Sequence, residues 1–305
     1  MHTLGFKIIR FVLLPLFILF HAIFIPLTAE AGGPEKALLI GLLPEMNVFK
    51  QKKRFEPLAV YLSEHMGIPV KFTMLSLYGN IIERIRNEEV DGAFLGSFTG
   101  ALAMNQLNVV PLARPINTDG TSTYYGQIFV KKDSNITSVA DMKGKSLALV
   151  EKATTAGYVF PLAWLKNQGV DDINTFFSHH FFTGSHDGAI DAVLNNKADV
   201  GAAKNTIYEQ MRQSNPRIDE ELVVLADSPR VPSNGLCVRK TLEEKYKAEL
   251  KSLLLNLHQD PEGLGVLKQM GAKRFVETNR EDYQPVLDMA IEAGIDVKKY
   301  NYYNP

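Results

Sequence analysis

Short apolar runs alternate along this chain with segments whose apolar residues recur every three or four positions. Residues 37–43 form a continuous apolar run of strand length and read as a buried strand. Phe55, Leu58, Leu62 and Met66 then share one face of a helix that Gly67 ends. Residues 70–75 are a second strand, Ile81, Ile82 and Ile85 mark a short helix, and residues 90–95 are a third strand. The order βαβαβ predicts a parallel sheet with helices on its faces. A second such unit starts with a strand at 124–131. It continues through a short helix, a glycine turn and a strand over 139–150, then a helix from about 155 to 167. A strand at 176–183, a helix at 185–195 and a strand at 199–203 complete it. After an apolar run at 222–226 the chain crosses a turn-rich stretch, 228–235. The remainder reads as mainly helical, over 242–257, 261–270 and 281–293. Two α/β units joined by crossovers predict two lobes around a cleft. The first lobe spans 36–125 and is completed by 229–305, and the second spans 126–228. Each lobe is expected to hold a mostly parallel sheet flanked by helices.

The N-terminus changes the picture of where the protein works. Lys7 and Arg10 precede an apolar stretch over 11–27, and Ala29-Glu30-Ala31 supplies a small-x-small site. Residues 1–31 therefore read as a cleaved secretion signal rather than a membrane anchor: the run is slightly short to span, and no stop-transfer cluster follows. The one cysteine, Cys237, cannot form an internal disulfide, and no cysteine follows the signal to carry a lipid. A disulfide-free exported chain of this size fits a bacterial periplasm. A formal net charge of −1 argues against nucleic acid as a partner, since phosphate-backbone binding needs a basic excess, and leaves room for a local basic pocket. A hydrophobic content of 46% fits a packed globule.

In open α/β sheets ligands bind beyond the carboxyl ends of strands, so the chemistry is sought there. The first candidate is the junction of Thr154, Thr155, Ala156 and Gly157, where a strand gives way to a helix. Unpaired N–H groups at a helix start attract an anion, two hydroxyls add donors, and Gly157 would let backbone approach the ligand. An ordinary threonine cap is the plainer reading, and Pro161 leaves the helix start open. In the next junction Ser185 caps a helix and His186 sits in its first turn. Lys204 and Asn205 follow the strand of small residues ending at Ala203, a place for a compact cation against an oxyanion. Ser76 as a cap, with Tyr78 facing the cleft, marks a fourth junction, and Ser97 with Thr99 at a helix start a fifth. His179 and His180 are neighbours on a strand and point to opposite faces, which argues against a metal site. No nucleophile elbow, P-loop or dinucleotide fingerprint is present.

Several of these stretches resemble one family. Leu39-Ile-Gly-Leu-Leu-Pro-Glu45 with Phe49, and Arg54-Phe-Glu-Pro-Leu58, are similar to the start of the phosphate/phosphite/phosphonate ABC-transporter binding proteins. Val90-Asp-Gly-Ala-Phe-Leu-Gly96, Thr154-Thr-Ala-Gly-Tyr158, Pro161-Leu-Ala-Trp164, Gly184-Ser-His-Asp187, Ala198-Asp-Val-Gly-Ala202, Asp260-Pro-Glu-Gly263 and Ala293-Gly-Ile-Asp296 extend the likeness in order along the chain. The resemblance implies the type II periplasmic binding fold. It also implies capture of a small oxyanion between lobes, without catalysis or a cofactor, and delivery by a monomer to an inner-membrane permease. Thr154, Thr155, Ala156, His186 and Tyr78 match the family's ligand contacts. Two departures stand out. Lys204 and Asn205 replace the acidic residue of members that bind aminoalkyl phosphonates, and no tyrosine lies among residues 95–99. The first favours a plain oxyanion, and the second a ligand that differs from the family's named substrates. A sensor partner that presents ligand to a receptor, and a lyase on the same fold, are the alternative functions.

Overall fold

The computed structural model describes His2, residues 37–75, Tyr78, residues 80–300 and Tyr302. Apart from His2, the predicted secretion signal lies outside the described residues, as does Ser76.

The chain opens with strand β1 (Leu38–Leu42), helix α1 (Val48–Met66), β2 (Val70–Met74), α2 (Asn80–Arg86), β3 (Gly92–Leu95) and α3 (Ser97–Leu107). Asn47 starts α1 by accepting hydrogen bonds from the Phe49 and Lys50 N–H groups, and Gly67 stops it in the left-handed conformation at φ 64°. The inward face of α1 is Phe55, Leu58, Tyr61, Leu62 and Met66. Burying each such large apolar side chain stabilises by roughly 1.5–3 kcal/mol. Next come β4 (Val110–Asn117), β5 (Thr123–Tyr124), β6 (Gly126–Lys131), β7 (Ser146–Leu149), α4 (Phe160–Asn167), α5 (Ile173–Phe176) and β8 (His179–Phe182). Then follow α6 (His186–Leu194), β9 (Val200–Lys204), α7 (Asn205–Ser214), α8 (Arg217–Glu221) and β10 (Leu222–Asp227). The chain closes with β11 (Val231–Pro232), β12 (Gly235–Val238), α9 (Glu244–Asn256), α10 (Pro261–Met270), β13 (Ala272–Glu277) and α11 (Gln284–Glu292).

The strands form a six-stranded sheet, β13-β4-β12-β3-β1-β2, a five-stranded sheet, β10-β6-β9-β7-β8, and a two-stranded ribbon, β11-β5. The ribbon pairs Val231 with Tyr124 and Pro232 with Thr123, so both crossings between lobes run side by side as a hinge. Both sheets are mixed rather than mostly parallel. β1 pairs in parallel with β2 and β3, and β7 with β8 and β9, as βαβ units require. Strands arriving from the hinge or the C-terminal region run the other way. β12 lies antiparallel to β3 and β4, β13 to β4, and β6 to β9 and β10.

The strand expected at 124–131 is two, because the chain leaves the hinge ribbon at Tyr124 and joins the second sheet at Gly126. The strand expected from 176 begins at His179, since Asp172 caps the short helix α5 through the Asn174 N–H. Beyond 235 the chain is mainly helical, as expected, but two strands that were not foreseen, β12 and β13, complete the first sheet. Helix α11 packs on α3 of the first lobe and on α4 of the second. Among the described residues no helix is long and apolar enough to cross a membrane.

Candidate ligand-binding site

The predicted residues at strand ends converge on a buried seam between the lobes. Ser97, at the start of α3, is fully buried, and its Oγ lies 2.7 Å from both the Tyr124 hydroxyl and Thr155 Oγ1. The Phe98 N–H donates to Thr155 Oγ1 at 2.9 Å, and Thr99 Oγ1 donates to the Ala153 carbonyl at 2.8 Å. Thr154 Oγ1 donates to the Glu151 carbonyl at 2.6 Å. Of the two threonine hydroxyls expected to meet an anion, that of Thr155 joins the lobes here and that of Thr154 bonds within its own lobe. Residues Thr155–Val159 form one wide turn in which the Val159 N–H reaches back to the Thr154 carbonyl at 3.1 Å, and α4 begins only at Phe160. Pro161, with no N–H to give, sits in the first turn of α4. Ala156 packs against Gly126. The room Gly157 leaves is taken by Val150, whose Cγ2 would lie 2.3 Å from a Cβ at that position. It serves strand packing, not backbone approach to a ligand.

Beside this seam lies a charged group. Ser185 caps α6 through the Gly188 N–H, which places His186 in the first turn, as expected. The His186 N–H donates to the Glu45 carbonyl at 3.2 Å, and its Nδ1 accepts the Lys204 N–H at 3.2 Å. Burial, reinforced by the Lys204 charge and opposed by Glu45 and Asp187, lowers the imidazole pKa to about 4. It is therefore neutral near pH 7, with its proton on Nε2. Tyr78 presents its ring edge to His186, with centroids 6.4 Å apart, and its N–H donates to Glu151 Oε2 at 2.9 Å. The Tyr78 hydroxyl is buried without a hydrogen-bond partner among the described residues. Burial, with Glu45 and Glu151 nearby, pushes its pKa well above the ordinary tyrosine value.

Lys204 is not a free cation for a ligand. Its ammonium lies 2.7 Å from Glu45 Oε1 and 2.9 Å from Asn234 Oδ1, and 4.4 Å from the centroid of the Tyr124 ring. Both partners of the ion pair are almost wholly buried, at 7% and 8% exposure. Burial alone would raise the Glu45 pKa, but the Lys204 charge and hydrogen bond outweigh it and hold the carboxyl below its usual range. Burial lowers the Lys204 pKa against the pull of Glu45. Asn205 pins the start of α7 to the hinge: its Oδ1 accepts the Tyr125 N–H at 2.9 Å, and its N–H donates to the Tyr125 carbonyl at 3.0 Å.

Glu45 and Lys204 form the common wall between the seam and a cavity of about 590 Å³ lined by both lobes. Of the ten predicted site residues, only Lys204 and Asn205 line this cavity; the other eight lie in the seam or in the group beside it. Glu45, Tyr124 and Asn234 were missed. Glu45 follows β1 as the other candidates follow their strands, so the same rule would have found it. Tyr124 brings a hydroxyl from the hinge to Ser97 at 2.7 Å. Among the described residues no group of three His, Cys, Asp or Glu side chains could hold a metal ion.

Two mixed sheets joined by a two-stranded hinge, with a polar cleft between them, define a two-lobed solute-binding protein. Residues 40–283 match the model of the family described as ABC transporter, phosphonate, periplasmic substrate-binding protein, and the chain belongs to that family. It is thus the solute-binding component of an ABC importer, with a small-molecule ligand and a membrane permease as partners. Membership favours neither the sensor nor the lyase. The phosphonates-binding periplasmic protein of Escherichia coli is 25% identical over 90% of this chain and 81% of its own length. A probable ABC transporter phosphite binding protein of Prochlorococcus marinus is also 25% identical, over 82% of this chain and 88% of its own. Among solved structures, a binding protein component of a Pseudomonas aeruginosa ABC phosphonate transporter superposes with a TM-score of 0.79 at 22% identity, covering 85% of this chain and 87% of that one. The Prochlorococcus marinus protein in complex with methylphosphonate gives 0.75 at 23%, covering 85% and 98%.

Proposed function

We propose that this chain captures a small oxyanion (phosphate, phosphite or a phosphonate) between its lobes and hands it to the permease, as a monomer without catalysis or a cofactor. Residues 1–31 are removed on export, and the lobes divide at 36–125, 126–228 and 229–305. The observation that carries this reading is the Tyr78 hydroxyl, a buried donor without a partner among the described residues, in a T-shaped contact with the neutral ring of His186. Tyr78 OH and His186 Nε2–H donate to the ligand oxygens. Thr154 and Thr155 turn their hydroxyls from the protein to the ligand, while Ser97, Thr99, Ala156 and Gly157 shape the seam. Lys204, held by Glu45, and Asn205 fix the edge of the site. The phosphonate, phosphite and phosphate named for relatives are all tetrahedral oxyanions.

Calorimetry with phosphate, phosphite, methylphosphonate and aminoethylphosphonate tests the reading. At least one should bind. With no free carboxylate at Lys204 to receive an amine, aminoethylphosphonate should be the weaker of the two phosphonates. Removing one hydrogen bond to a charged group costs roughly 1.5–3 kcal/mol, so Tyr78→Phe should weaken binding at least about tenfold. The same change deletes an unsatisfied buried hydroxyl and should leave thermal stability equal or higher. Unchanged oxyanion affinity in Tyr78→Phe would remove the seam as the site.

A further inference from the structure

A small tetrahedral ion leaves the neighbouring cavity unexplained. Its volume of about 590 Å³ is that of a pocket for an organic molecule, within the roughly 300–1,000 Å³ of typical ligand sites. An inorganic oxyanion of five heavy atoms, at no more than the ~30 Å³ share of a water each, takes on the order of 150 Å³.

The charges on its wall are unbalanced. Each wall carboxylate already has a donor of its own. Glu45 is paired with Lys204 at 2.7 Å, Glu209 with Arg212 at 2.8 Å, and Asp119 Oδ1 accepts the Thr121 N–H and hydroxyl at 2.8 Å each. Lys53 and Lys268 also line the cavity and have no ion-pair partner among the described residues. Arg54 also lines the cavity, and its Nε donates to the Met270 carbonyl at 2.7 Å. From the second lobe, α7 begins at the cavity with no side-chain cap, and Asn205 and Thr206 in its first turn line the wall. An uncapped helix start adds a positive partial charge on that side.

We infer that the ligand is an organic phosphonate or phosphate ester whose organic part carries a further negative charge, such as a carboxylate, and not an inorganic oxyanion. This inference rests on the reading above, in which the tetrahedral head lies in the seam. Glu45 and Lys204 are the wall shared by seam and cavity, so a head beside His186 and Tyr78 sends its substituent toward Lys53, Arg54 and Lys268.

Calorimetry on the full chain with inorganic phosphate, methylphosphonate, phosphonoacetate and 2-phosphoglycolate tests this, alongside a Lys53→Gln/Lys268→Gln double variant. Phosphonoacetate and 2-phosphoglycolate should bind at least about tenfold tighter than methylphosphonate and phosphate, the tenfold being one charge-assisted hydrogen bond of about 1.4 kcal/mol. The double variant should shrink that ratio to within about threefold. Equal or tighter binding of phosphate or methylphosphonate overturns the inference and leaves the oxyanion reading standing. A ratio that the double variant does not change also overturns it. Failure of all four anions to bind overturns both.

Discussion

His186 is fixed on two sides by backbone, through its own N–H to Glu45 and through its Nδ1 to Lys204. The second of these bonds needs the neutral ring, because Nδ1 must accept. An imidazole in the unfolded chain titrates near 6.5, whereas the buried one titrates at about 4. Between those values the unfolded chain binds the extra proton, so stability is full above pH 6.5 and is lost as the pH falls toward 4. The full loss is roughly 3 kcal/mol. The urea midpoint of the wild type should drop across this window, and His186→Asn should flatten the slope. A wild-type midpoint that stays level from pH 7 to 4.5 would contradict the buried neutral imidazole. At this scale the sequence was informative wherever a polar residue followed a strand, which is how Tyr78, Ser97, Thr155, His186 and Lys204 came to be singled out. What it could not convey was pairing. That Lys204 meets Glu45, 159 positions away, depends on how two lobes close.

Among the elements, the turn at Thr155–Val159 is the least regular, and its form follows from what packs beneath it. Val150 lies under Gly157, with the Val150 N–H donating to the Gly157 carbonyl at 3.1 Å. Gly157→Ala would drive a methyl into Val150 and force the turn off its strand. Overpacking of this kind costs typically 1–3 kcal/mol. The melting temperature should fall, and Gly157→Ala with Val150→Ala should recover part of the loss. No recovery would mean that Val150 is not the obstacle. Most helices were legible, α10 to the residue, because Asp260, Pro261 and Gly271 punctuate it. The unread strands have physical excuses. β4 contains Pro111 and Pro115, which normally argue against an interior strand. It tolerates them with the help of a register shift in β12 between Leu236 and Cys237, where Cys237 faces Pro111. β12 is four buried residues beginning with glycine, too short for any period to show.

Across the whole molecule the two lobes are tied by the hinge ribbon, by helix α11, by the hydrogen bonds of the seam and by the buried pair of Glu45 and Lys204. Of these only the last is ionic. Lys204→Met would strand the Glu45 carboxylate in the interior, at a cost of about 3–5 kcal/mol near neutral pH. Adding Glu45→Gln should return most of that, since what destabilises is the unpartnered charge. Urea midpoints of the two single variants and the double variant form the cycle. Additive losses would show that the pair does not act across the cleft. The discontinuous first sheet has a further consequence, for the order of assembly. Every strand of the second sheet lies between Gly126 and Asp227, whereas β12, which separates β3 from β4, arrives only at Gly235. A chain threaded through a membrane from its N-terminus can therefore finish the later lobe first. The earlier lobe waits as a three-stranded unit, β3-β1-β2, and an unpaired β4 until its missing central strand emerges, and the exposed edges of β3 and β4 make that interval the one in which the chain most needs protection from aggregation.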